Sequence, residues 1–300
     1  MIIDAHHHVW DPDARAHGWL DGLPALRRRF SLADFTRISA EHGVRASVLV
    51  QVLASAAETE EFLALAAEPG VVAGVVGWAD LTAPDVAAEI ARLRQVPGGG
   101  RLVGIRHLVQ DEPDPGWLDR HDVRRGLRAV GQAGLAYDLL VRPEQLPAAI
   151  HVASDLGDVR FVLDHGAKPD IASGHLEPWS GLVAELARRP NVMCKLSGLV
   201  TEAGPGWTAA QIAPYADRLL ECFGPDRLMF GSDWPVCTLA ASYGEVLALA
   251  REVLGHHLVP AEREAVFAGN AATAYGLTLL APGTPPVSPA TTPVPPQTTP

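Results

Sequence analysis

Short apolar segments recur along this chain, and longer segments with helical periodicity separate them. The apolar segments are rich in Val, Ile, Leu and Phe and lack the two-residue alternation of a half-exposed strand, which predicts strands buried on both faces. The predicted strands are Ile2–Ala5, Ala46–Val52, Val71–Trp78, Leu102–Arg106, Leu135–Val141, Arg160–Leu163, Val192–Leu196 and Leu228–Phe230.

The segments between these strands carry helix signals. Ser31 is a predicted N-cap, and Ala56–Ala67 has acidic residues in its first turn. The predicted helices are Leu32–Glu41, Ala56–Ala67, Pro84–Leu93, Val123–Ala133, Glu144–Leu156, Pro178–Arg188, Ala209–Phe223 and Ser242–Leu254, with an extra helix at Pro260–Ala268.

Eight strand–helix units predict the α/β class and a single-domain, TIM-like (β/α)8 barrel. An open doubly wound sheet is the alternative, but it usually has about five or six strands and a glycine-rich phosphate loop after the first strand. Here the first strand leads into AHHHVW, and Gly98–Gly100 precedes a strand instead of opening a helix. The pattern therefore favours the barrel, over residues 1–280.

The last residues have a different composition. Ala281–Pro300 reads APGTPPVSPATTPVPPQTTP and contains neither a charged nor an aromatic residue. Such a segment buries too little apolar surface to offset its ordering entropy, which predicts a disordered tail with polyproline character. A passive extension and a ligand for a proline-binding domain both stay open.

The charge composition of the chain narrows the kinds of molecule that we expect it to bind. The 300 residues include 24 basic and 35 acidic side chains, a formal net charge of −11. This balance argues against nucleic-acid and anionic-membrane partners, which select basic patches. The N-terminus MIIDAHHHVW lacks signal-peptide features, and no apolar run reaches the ~18 residues of a spanning helix. We expect a soluble, cytoplasmic protein.

Ionisable residues cluster where the predicted strands end, which is where barrel enzymes hold their active sites. His6 and His8 share one face of the first strand while His7 points away, His165 follows the sixth strand and Asp233 follows the eighth. His6, His8, His165 and Asp233 are a plausible ligand set for a single divalent ion. The same four residues could work without metal, with Asp233 taking a proton from water and the histidines positioning the substrate.

Longer motifs resemble a known family. They are IDAHHHVWDP, GWADL, GIRHLVQDEPDPGWL, FVLDHGAKPDI, CKLSGL and LMFGSDWPVC. From Ile2 to about Gly276 the chain resembles the amidohydrolase superfamily, and more narrowly its lactonase branch, which includes sugar-acid lactonases and 2-pyrone-4,6-dicarboxylate lactonase. The resemblance implies a distorted (β/α)8 barrel that hydrolyses a ring ester, with Asp233 as the general base. It also implies that His6, His8 and His165 surround the lactone carbonyl or hold one metal ion.

The chain departs from the binuclear members of this superfamily. Those members use a lysine or glutamate on strand four and a histidine on strand five. Here these strands carry Arg106 with His107 and Tyr137 with Asp138. The expectation is one divalent ion, zinc or manganese, or catalysis without metal.

The predicted substrate-binding residues mix aromatic and hydrogen-bonding groups. They are Trp10, Gln51, Trp78, Arg106, His107, Tyr137, Lys168 and Trp234. Such a lining suits a polyhydroxylated ring, whereas a dicarboxylate needs several arginines to pair its charges. We therefore predict a small-molecule partner, a neutral sugar-acid lactone. A pyrone-dicarboxylate lactonase, a metal-dependent decarboxylase and a non-catalytic sugar-binding barrel are the alternatives.

Lys195 and the oligomeric state are left open by the sequence. Lys195, within CKLSG, is either a buried lysine that lines the barrel or a nucleophile. Nothing in the composition or the motifs predicts how many chains associate.

Overall fold

A computed structural model describes residues 1–278. The predicted tail, Ala281–Pro300, and the boundary at residue 280 lie outside these residues. Within residues 1–278, no helix combines the length and the apolar character that crossing a membrane requires.

Eight parallel strands form one sheet in the order β1 to β8. The sheet closes through a parallel bridge between His7 and Trp234, beside which Asp233 N donates to His6 O at 2.8 Å. The structure confirms the predicted barrel and all eight strands, although β1 continues two residues beyond its predicted end. The strands are β1 Ile2–His7, β2 Val44–Val50, β3 Val72–Gly77, β4 Leu102–His107, β5 Ala136–Leu139, β6 Arg160–Leu163, β7 Val192–Leu196 and β8 Leu228–Phe230.

The helices between the strands agree with the predicted set to within a few residues at their ends. They are α1 Leu32–Glu41, α2 Ala56–Ala67, α3 Val86–Leu93, α4 His121–Gln132, α5 Leu146–Asp155, α6 Trp179–Ala187, α7 Leu199–Ala203, α8 Ala209–Phe223, α9 Tyr243–Gly255, α10 Pro260–Glu264 and α11 Asn270–Tyr275. The Ser31 cap of α1 is present, because the Ser31 hydroxyl accepts from Asp34 N and the Asp34 carboxylate accepts from Ser31 N.

Two helical segments differ from the prediction. The short helix α7 was not predicted; it has five residues and lies between Gly198 and Gly204. The extra helix predicted at Pro260–Ala268 consists of α10 and a π-helical turn at Ala265–Gly269, and α11, which was not predicted, follows directly.

Helix α11 packs against the N-terminal end of the barrel. Ala271, Ala274 and Tyr275 belong to the same apolar cluster as inward-facing strand residues such as Ile3 and Val48. Arg160, the first residue of β6, donates to the Thr273 and Ala274 carbonyls at 3.2 and 3.0 Å. The strand ends that carry the predicted site residues lie at the opposite end of the barrel.

Candidate active site

A cavity of about 250 Å³ lies at the C-terminal ends of the strands. Its lining includes four residues that come directly from strand ends: His8, Arg106, His165 and Asp233. His6 lies beside them and is fully buried. The cavity therefore has acidic and basic groups where a barrel enzyme performs its chemistry.

Three imidazole nitrogens converge on one carboxylate oxygen. His8 Nε2, His6 Nε2 and His165 Nε2 lie 3.4, 3.7 and 3.9 Å from Asp233 Oδ1. His6 Nε2 and His8 Nε2 are 3.1 Å apart. The structure thus brings together all four of the residues predicted as catalytic or metal-binding, and none is more than 5% exposed.

The opposite nitrogen of two of these rings has its own partner. His8 Nδ1 lies 2.8 Å from the Val50 carbonyl oxygen, which only accepts, so His8 Nδ1 carries the hydrogen and Nε2 keeps its lone pair. His165 Nδ1 lies 2.8 Å from Ser197 Oγ. Such contacts on the outer side of a ring are typical of histidines that bind metal, because they fix the tautomer and the orientation of the ring.

Beneath His6 lies a fully buried set of charges. Lys195 Nζ contacts Asp138 Oδ2 at 2.6 Å, Asp164 Oδ1 at 2.8 Å and His6 Nδ1 at 3.1 Å. These three contacts match the three hydrogens of an ammonium group, so Lys195 is a buried lysine that lines the barrel. Arg106 Nη1 donates to Asp164 at 3.0 Å.

The charges of these buried residues determine the net charge of the site. Lys195 and Arg106 are matched by Asp138 and Asp164, so Asp233 contributes a negative charge without a cationic partner in the cluster. Burial, helped by repulsion from Asp164 and opposed by the Lys195 ammonium, raises the pKa of Asp138 to about 6. A carboxylate without a cationic side-chain partner at the base of a cavity attracts a cation.

The protonation of the cluster follows from burial. Burial lowers the pKa of His165 to about 4 and holds the pKa of His6 well below its ordinary value. Burial raises the pKa of Asp233, but the interaction with His165, helped by His6 and His8, outweighs it, and the pKa lies well below the ordinary range. The cluster therefore presents neutral His6 and His165 imidazoles beside a carboxylate.

This donor set fits a divalent ion. Ligand atoms of His6, His165 and Asp233 all lie within 4.8 Å of one another, and His8 stands next to this group. Neutral imidazoles with one carboxylate suit zinc or manganese.

The backbone at two of these residues lies in the left-handed region. Four consecutive residues, His165 to Lys168, have φ between 51° and 64°, and Asp233 has a φ of 56°. A left-handed conformation costs roughly 1–2 kcal/mol for each residue other than glycine. The surrounding structure holds this strain at the residues that build the cluster, as is common at functional sites.

The predicted substrate-binding residues divide into two groups. Trp10, Arg106 and Lys168 line the cavity, and Gln51 lies behind Arg106, whose Nη2 donates to Gln51 Oε1 at 3.1 Å. Arg106 Nε is buried and, within residues 1–278, has no hydrogen-bond partner. Asp164 and Gln51 therefore fix the guanidinium of Arg106, and its Nε donor stays unused among the described residues.

The other four predicted residues do not reach the cavity lining. Trp78 Nε1 donates to His107 Nδ1 at 3.1 Å, and His107 Nε2 pairs with Glu112 at 2.7 Å. Tyr137 is fully buried, and Trp234 is 4% exposed. Their role in substrate binding stays a prediction.

Several lining residues were missed by the sequence analysis. They are Trp19, Leu23, Val52, Leu108, Gln110, Asp111, Leu140, Val236 and Leu239. Trp19 Nε1 and Gln110 Oε1 are buried and find no hydrogen-bond partner in the described part of the chain. A buried polar atom without a hydrogen bond lowers the stability of a protein by about 1–3 kcal/mol. A hydrogen bond from either atom to a ligand group would therefore be favourable. In the sequence, the position of Gln110 and Asp111 just after β4 could have indicated that they line the cavity.

Two lactonases are similar to this chain along most of its length. The chain is 40% identical over 277 residues to an L-fucono-1,5-lactonase of Burkholderia ambifaria, which covers 91% of this chain and 94% of that protein. It is 39% identical to an L-fucono-1,5-lactonase of Burkholderia multivorans, over 92% of this chain and 96% of that protein.

A solved structure is also similar. It is an amidohydrolase from Burkholderia multivorans with bound zinc, 38% identical, with a TM-score of 0.88 over 93% of this chain and all of that one. The amidohydrolase family profile matches residues 3–277. This chain therefore belongs to the amidohydrolase family, as its strand-end motifs predicted.

Proposed function

We propose that this chain hydrolyses the ring ester of a sugar-acid lactone, with L-fucono-1,5-lactone as the first candidate substrate. The observation that carries this proposal is the convergence of three imidazole Nε2 atoms on the Asp233 carboxylate at the base of a small cavity. The relatives named L-fucono-1,5-lactonase, at 39–40% identity, support the choice of substrate.

Asp233 is the base in this reaction. Its low pKa keeps it ionised, so it can accept a proton as a water oxygen attacks the lactone carbonyl carbon. The same carboxyl group then returns the proton to the ring oxygen as the bond between that oxygen and the carbonyl carbon breaks. The product is the open-chain sugar acid, and Asp233 is again a carboxylate.

Arg106 stabilises the oxyanion. Its Nε lacks a partner among the described residues, and its other nitrogens are fixed by Asp164 and Gln51. A donor that is already oriented stabilises developing charge without reorganising during the reaction. A divalent ion held by His6, His165 and Asp233, with His8 beside them, would supply a Lewis acid for the same carbonyl.

The cavity favours a neutral, single-ring substrate. Its volume of about 250 Å³ is below the ~300–1,000 Å³ of common ligand pockets. Among residues 1–278, Arg106 is the one arginine in its lining, whereas a pyrone dicarboxylate brings two carboxylates that need pairing. A cytoplasmic location, a single ion per site and the small-molecule lactone as its partner are parts of the same proposal.

A pH-indicator assay tests the proposal. The purified chain is mixed with L-fucono-1,5-lactone, 2-pyrone-4,6-dicarboxylate or an aromatic acid, before and after dialysis against a chelator. We expect acid release from the sugar lactone, loss after chelation and recovery with zinc or manganese. Turnover of the dicarboxylate alone, or release of carbon dioxide from the aromatic acid, would replace the proposed reaction. No turnover of any lactone would overturn it.

A further inference from the structure

We propose that one wall of the cavity is a subsite for a methyl group and makes the enzyme selective for 6-deoxy lactones. This inference rests on the proposed lactone hydrolysis and deepens it. We call the wall formed by Trp19, Leu23, Val236 and Leu239 the apolar wall. All four side chains are half-buried and line the cavity.

The apolar wall comes from two neighbouring strand ends. Trp19 and Leu23 lie in the segment after β1, and Val236 and Leu239 lie in the 3-10 turn after β8. Because β1 and β8 meet at the closing bridge of the barrel, these four residues stand on one side of the cavity. This side offers a substrate a surface that is mostly apolar.

The loops after β4, β5 and β6 give the cavity a mixed lining, in which Leu108 and Leu140 stand beside polar side chains. Gln110 and Asp111 follow β4, which lies across the barrel from β8, and Lys168 follows β6. Gln110 Oε1 is buried and has no partner within the described residues, so it can accept a hydrogen bond from a ring hydroxyl. Outside the reacting cluster, the polar side chains that can bind ring hydroxyls therefore lie on loops other than those that carry the apolar wall.

The chemistry of the proposed substrate matches this division. In a 6-deoxyhexono-1,5-lactone the methyl carbon is attached to the carbon that bears the ring oxygen, close to the reacting ester. The apolar wall likewise begins close to the reacting cluster, since Val236 is three residues after Asp233 and Cys237 N donates to the Asp233 carbonyl at 2.8 Å. A methyl group beside Leu23, Val236 and Leu239 contacts carbon atoms, whereas a hydroxymethyl group beside these three side chains would lose its hydrogen bonds to water.

Two lactones that differ by one hydroxyl group test the proposal. L-fuconolactone is the 6-deoxy form of L-galactonolactone, so the ratio of their kcat/KM values isolates the substituent. We expect the ratio to favour L-fuconolactone by about 10- to 100-fold, the range that an apolar pocket achieves against an added hydroxyl. Val236→Thr, which keeps the volume, and Leu23→Asn should each lower the ratio at least about threefold, mainly by improving L-galactonolactone turnover.

Two further variants serve as controls. Val259→Thr makes the same chemical change at a side chain that is 57% exposed and outside the cavity lining, and should leave the ratio unchanged. Gln110→Ala removes a contact to ring hydroxyls that both lactones share, so it should lower both kcat/KM values by the same factor.

The outcomes separate this inference from the proposed function. Equal kcat/KM values for the two lactones, or an unchanged ratio in both wall variants, would overturn the methyl subsite while lactone hydrolysis stands. Hydrolysis of neither lactone would overturn both.

Discussion

His6 Nε2 lies 3.1 Å from His8 Nε2, and only one hydrogen or one cation can stand between these two nitrogens. His8 Nε2 carries a lone pair because its other nitrogen faces the Val50 carbonyl. His6 has two suitable tautomers, since Lys195 can donate to its Nδ1 and Asp164, 3.3 Å away, can accept from it. With a hydrogen on Nδ1, His6 presents a second lone pair to a cation.

Replacing His6 should therefore remove ion binding. We expect His6→Ala to weaken zinc affinity at least about 100-fold, because changes to contacts behind a ligand already cost 10–100-fold. Isothermal titration with zinc measures this change. His175→Ala alters an exposed histidine in the loop after β6 and should bind zinc as the native chain does. Native zinc affinity in His6→Ala would rule out His6 as a ligand.

Asp233→Asn should abolish most of the turnover of a lactone. The amide keeps the shape of the side chain but cannot accept the proton from water, and a general base contributes about 10²–10⁴-fold. Steady-state kcat measures the loss. Asp226→Asn, an exposed position just before β8, is the matched control. A kcat within threefold of the native value, roughly the error of such a comparison, would exclude Asp233 as the base.

Gly198→Ala should disturb His165 through direct contact. A Cβ at Gly198 would lie 2.7 Å from His165 Nδ1, where the ring now contacts Ser197. We expect zinc affinity and kcat to fall about 10–100-fold, the usual effect of disturbing the contacts behind a ligand. Gly134→Ala has nearly the same φ, +71° against +68°, with no atom within 4 Å of the new Cβ. Gly134→Ala therefore measures only the backbone strain of an alanine at this φ. Equal losses of zinc affinity and kcat in both variants would contradict a direct contact between the new Cβ at residue 198 and His165.

Glu58 should make stability depend on pH. Its buried carboxylate accepts from Val52 N and Leu53 N at 2.8 and 2.9 Å, and burial raises its pKa from 4.5 to about 7. Between these values the folded state binds more protons than the unfolded state, so the free energy of unfolding falls as pH rises. The full effect is at most about 3 kcal/mol.

Glu58→Gln tests this dependence, because the amide oxygen still accepts from the backbone and does not titrate. Urea unfolding of the native chain and of Glu58→Gln from pH 4.5 to 7 should show a flatter profile for the variant. Glu68→Gln, exposed just after the same helix, should follow the native profile. Parallel profiles for the native chain and Glu58→Gln would contradict the raised pKa.

The fold was predictable because the strands of a closed parallel barrel are buried on both faces. Each therefore appears as a short apolar run, and β6, β7 and β8 have the predicted bounds. The helix α7 was missed because five residues between glycines have too little periodicity to detect. Nothing in the amino-acid composition distinguishes the π-helical turn before α11 from an ordinary α-helical turn.

The candidate site was predictable in part for the same reason. His6, His8, His165 and Asp233 interrupt or follow apolar runs, so their placement at strand ends is visible in the sequence. Loop residues such as Trp19 have no periodicity, and how far each loop folds back over the barrel depends on contacts distant in sequence. Likewise, only the structure shows that Trp78 and His107 are hydrogen-bonded to each other.

The barrel closes where its first strand meets its last strand. This closure affects when the site can form during translation. His6 and His8 leave the ribosome among the first residues, but Asp233 and the strand that pairs with them come near the end. Tyr275, on α11, also donates to Asp138 beneath the cluster at 2.8 Å. A nascent chain that lacks these last segments carries the histidines without their carboxylate. We therefore expect the cluster of His6, His8, His165 and Asp233 to assemble only after translation has passed α11, and chains truncated earlier should be inactive and open at the base of the barrel.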